Sequence, residues 1–241
     1  MYKEFEREAM LIGEEALEKL SHASVALFGV GGVGSYAAEA LARSGVGNIL
    51  LVDNDTVSIS NINRQLCALH STVGKFKVDV VAERLLDINP ELNVMVRKDF
   101  ILPENAHTFD FSSFDYVIDA IDTVSGKLAI AEGCVAANTP IISCMGTGNK
   151  LDPSAFRVTD ISKTNTCPLA RVMRRELRAR GIDHLKVIYS IEEALTPRIQ
   201  QTDGKRAIPA SIAFVPSVAG LMAAGEAVKD IIGKEEQNGK A

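Results

Sequence analysis

A glycine turn, Gly29-Val30-Gly31-Gly32-Val33-Gly34, separates a fully apolar run, Val25-Ala26-Leu27-Phe28, from a run of small residues, Ser35 to Ser44. Strand, turn and close-packing helix in that order constrain the fold more than any other feature of the chain. The glycines permit a tight reversal that brings backbone N–H groups close to a polyanion. The helix that follows points its positive end to the same place. Gly29, Gly31, Gly32 and Gly34 are therefore candidate nucleotide-binding positions. Gly29, Gly31 and Gly34 keep the dinucleotide spacing.

Apolar runs at 49–52, 92–96, 116–121 and 140–144 read as further strands. Segments 73–88 and 125–138 have helical periodicity, and the first stops at Asn89-Pro90. Continuous apolar runs mark strands covered on both faces, and strands alternating with helices mark parallel order. The pattern predicts an α/β fold, a doubly wound, mostly parallel sheet, over residues 1–148, with a short amphipathic helix at 13–20. Its ligand belongs beyond the carboxyl ends of the strands. Residues 149–241 read as a smaller C-terminal α/β extension. It comprises a strand at 155–159, a helix at 169–180, a strand at 185–189, a polar mobile loop at 196–207 and a closing helix at 218–232. The uncharged stretch 208–225 reads as a buried strand and a buried helix, because Pro209, Pro216, Ser211 and Ser217 interrupt it as a membrane span.

The net charge of −5 argues against non-specific coating of nucleic acid, but leaves room for a local basic patch. The four cysteines, at 67, 134, 144 and 167, form no Cys-x-x-Cys pair. Neither a zinc ribbon nor a thioredoxin-like redox pair is expected. The charged opening, Met1 to Arg7, does not read as a signal peptide, so a reducing cytoplasm is the expected compartment.

Asp53 stands at ribose distance after the glycine turn. Those features alone leave nicotinamide and adenine nucleotides equally open. The segment that follows adds Asp55, then Asn61-Ile62-Asn63-Arg64-Gln65, then Gly74-Lys75-Phe76-Lys77. A hydride-transfer cofactor has no use for an Arg and a Lys converging on its phosphates. Activation of a carboxylate by ATP does, because it brings one more anion against a triphosphate, and cations must neutralise the developing charge.

In this ordered set the chain resembles the E1-like family of ThiF, MoeB and the ubiquitin-activating enzymes. A further family element, an Asp after a later strand, matches Asp122 in Asp119-Ala120-Ile121-Asp122. The resemblance implies an adenylation fold with ATP and Mg2+ as cofactors. Asp53 would bind the ribose, Asn61, Arg64 and Lys77 would reach the phosphates, and Asp122 would hold Mg2+ or position the triphosphate. Gln65 and Asp55 complete the implied nucleotide set, with the role of Asp55 left open. Arg7 matches an arginine that in the family reaches the partner subunit's ATP, which implies a homodimer. Lys75 reads as a solvated residue and Asp119 as structural.

Within that family the second half resembles the tRNA threonylcarbamoyladenosine dehydratase branch. The supporting stretches are Phe5 to Gly13, Asn149 to Pro153, Val158 to Thr164, Cys167 to Ala170 and Phe214 to Gly220. The branch activates the carboxylate of N6-threonylcarbamoyladenosine at position 37 of tRNA, which then closes into a ring with net loss of water. The expected partner is thus the anticodon loop of tRNA. Arg171, Arg174, Arg175 and Arg178 fall on one helical face, a candidate phosphate-contacting stripe, with Arg180 and Lys186 at the helix exit. The alternative within the family is adenylation of the C-terminus of a ubiquitin-like or sulfur-carrier protein, which the missing zinc cysteines disfavour. The resemblance also admits a cysteine desulfurase or sulfurtransferase partner. Cys167, ahead of Pro168 at a helix start, reads as a capping or packing residue rather than a nucleophile.

Overall fold

In the computed structural model, residues 3–203 and 206–233 are described. The chain opens with two short helices, α1 (Glu6–Ile12) and α2 (Glu14–His22), and enters the sheet at β1 (Ser24–Phe28). Helix α3 (Gly34–Arg43), β2 (Asn48–Val52), α4 (Lys77–Ile88) and β3 (Asn93–Arg97) follow. A long connection leads to β4 (Tyr116–Asp119), then α5 (Val124–Ala137) and β5 (Ile141–Cys144). The second half supplies β6 (Phe156–Asp160), α6 (Pro168–Arg178), β7 (Lys186–Ser190), a small hairpin of β8 (Thr202–Asp203) and β9 (Arg206–Ala207), and α7 (Phe214–Ile232).

The seven long strands form one sheet in the order β3-β2-β1-β4-β5-β7-β6. All neighbours are parallel except β6, which runs against β7 with Phe156 opposite Ser190 and Asp160 opposite Lys186. The second half thus extends the same sheet. Helices α3, α4 and α7 pack on one face, and α5 and α6 on the other. The apolar strand runs explain this: Val25, Leu27, Ile49 and Leu51 face the first layer, while Ala26, Phe28, Leu50 and Val52 face the second. The order of strands reverses between β1 and β4, the switch point where an open α/β sheet leaves a crevice.

Three segments differ from the sequence expectation. The helix expected from 73 begins only at Lys77. Gly74 has φ +88°, its N–H donates to Val57 O, and Lys77 N–H donates to Asp55 O. Residues 74–77 are tied back to the loop after β2 instead of starting a helix.

The strand expected from 208 does not form, and α7 starts at Phe214. Pro209 lacks an N–H for a ladder. The segment is held instead by Asn149, which exchanges backbone and side-chain hydrogen bonds with Ala210, and by Asn63 Nδ2, which donates to Ser211 O. The polar loop at 196–207 includes the β8–β9 hairpin, with Ile208 N–H donating to Gln201 O. Among the described residues no helix is long and apolar enough to cross a membrane.

Candidate active site

β1 ends at Phe28 and the chain reverses at once. Gly29 has φ +87°, and a Cβ there would stand 2.8 Å from Ala120 O. A Cβ on Gly34 would stand 1.8 Å from Gly29 O. Neither position admits a side chain, so the turn packs tightly between the start of α3 and the loop after β4.

Asp53 joins this turn to the end of β2. Its Oδ2 accepts Val30 N–H at 2.7 Å and its Oδ1 accepts Asp55 N–H at 2.8 Å. Asn61 organises the next segment: its Oδ1 accepts Ser58 N–H, and its carbonyl accepts the N–H groups of Arg64 and Gln65. That single turn sets Arg64 and Gln65 over the glycines. Arg64 Nη1 donates to Ser60 O (2.8 Å) and Asn63 Oδ1 (2.9 Å), and the guanidinium pairs with no carboxylate among the described residues. Lys77 opens α4 with its side chain buried, and Nζ lies 2.6 Å from Oδ2 of the exposed Asp55. Asp122 is exposed in the loop after β4.

These groups line one cleft of about 360 Å3 at the switch point. It contains every nucleotide-site residue expected from the sequence except Gly34, which is buried beneath the turn. A larger hollow of about 660 Å3 lies at the amino ends of β1 and β4, lined by Glu15, Glu18, Asp115 and Asp230. It has neither a glycine turn nor a helix start aimed into it, unlike the smaller cleft.

Phe100, Ile101, Thr147, Ser211 and Pro216 also line the cleft, outside the nucleotide motifs of the sequence. Phe100 and Ile101 follow β3 at the sheet's carboxyl end, a position that could have flagged them. Ser211 arrives with the 208–213 segment, held there by Asn63 and Asn149, and Pro216 with the first turn of α7.

Arg7 does not line its own chain's cleft. It is exposed on α1, whose neighbour Glu8 hydrogen-bonds Ser44 at the opposite end of α3 from the glycine turn. The four helix arginines lie outside the cleft too. Arg171, Arg175 and Arg178 are exposed, while Arg174 turns inward and donates to Thr164 O and Oγ1. Lys186 does not extend this stripe, because it points to the other face of the sheet and pairs with Glu226 (3.2 Å) and Asp230 (2.5 Å) on α7. Lys75 is exposed in the turn before α4.

The cysteines offer no nucleophile to the cleft. All four are free and buried. Burial pushes the Cys67 thiol up to about 11, with Lys77 opposing the shift, and pushes Cys144 up to about 12. No three metal-ligating side chains converge among the described residues. A single free carboxylate such as Asp122 still fits Mg2+, which binds one or two carboxylates and fills its shell with phosphate oxygens and water.

The chain matches the ThiF family over residues 5–241. It is 48% identical to the tRNA threonylcarbamoyladenosine dehydratase of Bacillus subtilis, covering 96% of each chain. The dehydratase of Escherichia coli is 36% identical, with 96% of this chain and 94% of that one covered. The crystal structure of E. coli tRNA N6-threonylcarbamoyladenosine dehydratase, TcdA, in complex with ATP superposes with a TM-score of 0.88. That match spans 98% of this chain and 97% of the other at 36% identity.

Proposed function

This chain belongs to the ThiF family, and from that premise we propose that it is an ATP-dependent tRNA threonylcarbamoyladenosine dehydratase. The observation that carries the reading is the convergence of Arg64, Lys77 and Asp122 on one glycine-floored cleft. The similarity to dehydratases along nearly the whole chain supports the substrate.

A carboxylate resists nucleophilic attack, since it is negatively charged and has no leaving group. The carboxylate of N6-threonylcarbamoyladenosine attacks the α-phosphorus of ATP, forms an acyl-adenylate and releases pyrophosphate. A nucleophile of the carbamoyl group then attacks the acyl carbon, closes the ring and expels AMP. The elements of water leave with the ATP-derived products.

The backbone N–H groups of the turn after Val30, at the start of α3, face the phosphates. Arg64 and Lys77 balance the charge that gathers as the carboxylate approaches. Asp53 serves the ribose, with Asp55, Asn61 and Gln65 supporting the nucleotide set. Asp122 would hold Mg2+, which supplies charge neutralisation at the phosphates. Arg7 does not line its own cleft, and on this reading it serves a site across a homodimer. Exposed Arg171, Arg175 and Arg178 supply tRNA phosphate contacts. A sulfurtransferase partner and a cytoplasmic location remain part of this reading by family likeness.

Mass spectrometry of nucleosides from modified tRNA, incubated with the protein and Mg-ATP, tests it. The expected product is lighter than the substrate nucleoside by one water. An unchanged nucleoside, with ATP consumed only when a carrier protein is added, would transfer the activity to a protein C-terminus.

A further inference from the structure

Asp119 and Lys127 are both fully buried, directly behind the loop that carries Asp122. Lys127 Nζ lies 2.9 Å from Asp119 Oδ2 and donates to Ser143 Oγ at 3.2 Å. Ser143 Oγ donates to the same carboxylate oxygen at 2.6 Å. The other oxygen, Asp119 Oδ1, accepts Ile121 N–H at 3.2 Å. On the far side of Asp122, the N–H of Lys127 donates to Thr123 O at 3.0 Å.

Asp119 therefore grips the neighbour before Asp122 through its side chain, while the backbone bond that opens α5, from Lys127 to Thr123, ties the neighbour after it to the helix that carries Lys127 Nζ. Ala120 N–H completes the clamp by donating to Phe28 O at 2.8 Å, beside the glycine turn.

Stability alone does not call for this arrangement. Two charges lose their hydration when buried, and well-packed apolar replacements of such pairs are often neutral or stabilising. Ile118, Ile130 and Ile142, on the same three elements, are fully buried and show that apolar side chains are accommodated there. What an ion pair adds over an isoleucine is direction: hydrogen bonds that fix one loop geometry.

We infer that Asp119, Lys127 and Ser143 form a buried positioning network that sets Asp122 for the adenylation step. The inference rests on the reading of Asp122 given under Proposed function. None of the three residues lines the cleft, so they act through Asp122 and not on substrate.

The test is a coupling measurement. Asp119→Leu/Lys127→Met removes both charges together and leaves none unpaired. Pyrophosphate release is followed in this variant, in Asp122→Asn and in the combination, with Tm recorded for each. The expected result is a kcat lowered about tenfold to a hundredfold, as a misplacement of about 1 Å within a site brings. KM for ATP stays within about twofold of wild type. Added to Asp122→Asn, the network change costs nothing further, because the group it positions has already been removed.

Normal kcat with Tm retained overturns the inference, as does a full multiplicative loss in the Asp122→Asn background. Should the double variant fail to fold, Ser143→Ala, which leaves the ion pair intact, carries the same comparison. An Asp122→Asn enzyme at wild-type kcat overturns the reading of the site itself. Normal kcat in the network variants beside a crippled Asp122→Asn overturns the positioning role alone.

Discussion

Lys77 and Asp55 meet at the edge of the nucleotide cleft with Nζ and Oδ2 2.6 Å apart, the lysine side chain 6% exposed and the aspartate 61%. An ammonium has three donors. With one committed to Asp55, two are left for phosphate oxygens on the function proposed above. On that reading Asp55 orients the cation instead of merely neutralising it. The backbone repeats the link, since Lys77 N–H donates to Asp55 O.

Asp55→Ala is expected to lower kcat for pyrophosphate release about tenfold, and Lys77→Ala about a hundredfold, the scale of losing one charge-stabilising group. Steady-state kinetics with a calorimetric ATP titration separates the two possibilities. If Asp55→Ala tightens ATP binding and leaves kcat unchanged, Asp55 only competes with phosphate for Lys77.

Arg64 and Asp122 line the same cleft. Arg64→Ala and Asp122→Ala should each lower kcat by about 10²–10³. Neither change empties the core, since Asp122 is exposed and Arg64 half-buried, so Tm should stay close to wild type. Thermal melts beside single-turnover adenylation check both halves, and near-normal rates would remove these residues from the mechanism.

A further carboxylate joins the two helices that flank the site. Glu39 on α3 accepts from Arg43 Nε at 2.8 Å and from Arg84 Nε on α4 at 2.6 Å. Burial alone would raise the Glu39 carboxyl, but the hydrogen bonds and charges of Arg84 and Arg43 more than offset it and hold it below its ordinary value. A carboxyl lowered in the folded state stabilises the fold fully above its unfolded value. That stabilisation is lost as pH falls through the folded value. Glu39→Gln should cost about 1–2 kcal/mol at neutral pH. Urea melts across the pH range should show wild type and variant converging as pH falls below the ordinary glutamate range. A constant gap would mean the loss is one of packing.

Most of the cleft was legible because its residues sit in short, ordered runs. The turn at Gly29 to Gly34 and the Asp53 that closes β2 are each dictated by local geometry, so spacing alone finds them. Three things were not legible, each for a tertiary reason. Periodicity from 73 continued into α4, but Gly74 and the pull of Val57 and Asp55 delayed the helix to Lys77. An apolar stretch at 208 suggested a strand, yet Asn149 and Asn63 claim its backbone groups. Lys186 read as part of a basic cluster, but strand alternation sends it to α7 and its two carboxylates.

Arg7 belongs to the short first helix, α1. It is exposed, on a helix whose Met10 and Leu11 are also more than four-fifths exposed, and it does not line its own cleft. If Arg7 serves a neighbouring protomer, mixing Arg7→Ala with Asp122→Ala protomers creates one site with both lesions and one intact site. Partial recovery of activity is expected, up to about half of wild type per verified mixed dimer if sites act independently. No recovery in verified mixed dimers would confine Arg7 to a structural role.

The helix arginines divide once their partners are known. Arg174 is committed to Thr164, so changing it would disturb α6 and could not report on phosphate contacts. Arg175 meets Glu176 and Arg178 lies 3.5 Å from Asp183, exposed pairs that a polyanion can displace at little cost. Arg171 is exposed on the same helix, nearer its start. Charge reversal at Arg171, Arg175 and Arg178 to Glu should therefore weaken tRNA binding and leave ATP binding unchanged. Each lost contact should flatten the dependence of log affinity on log salt by about one unit on duplex-like backbone. Filter binding of modified tRNA over a salt series measures both quantities. If affinity and slope match wild type, α6 is a solvated face and the tRNA contacts lie elsewhere.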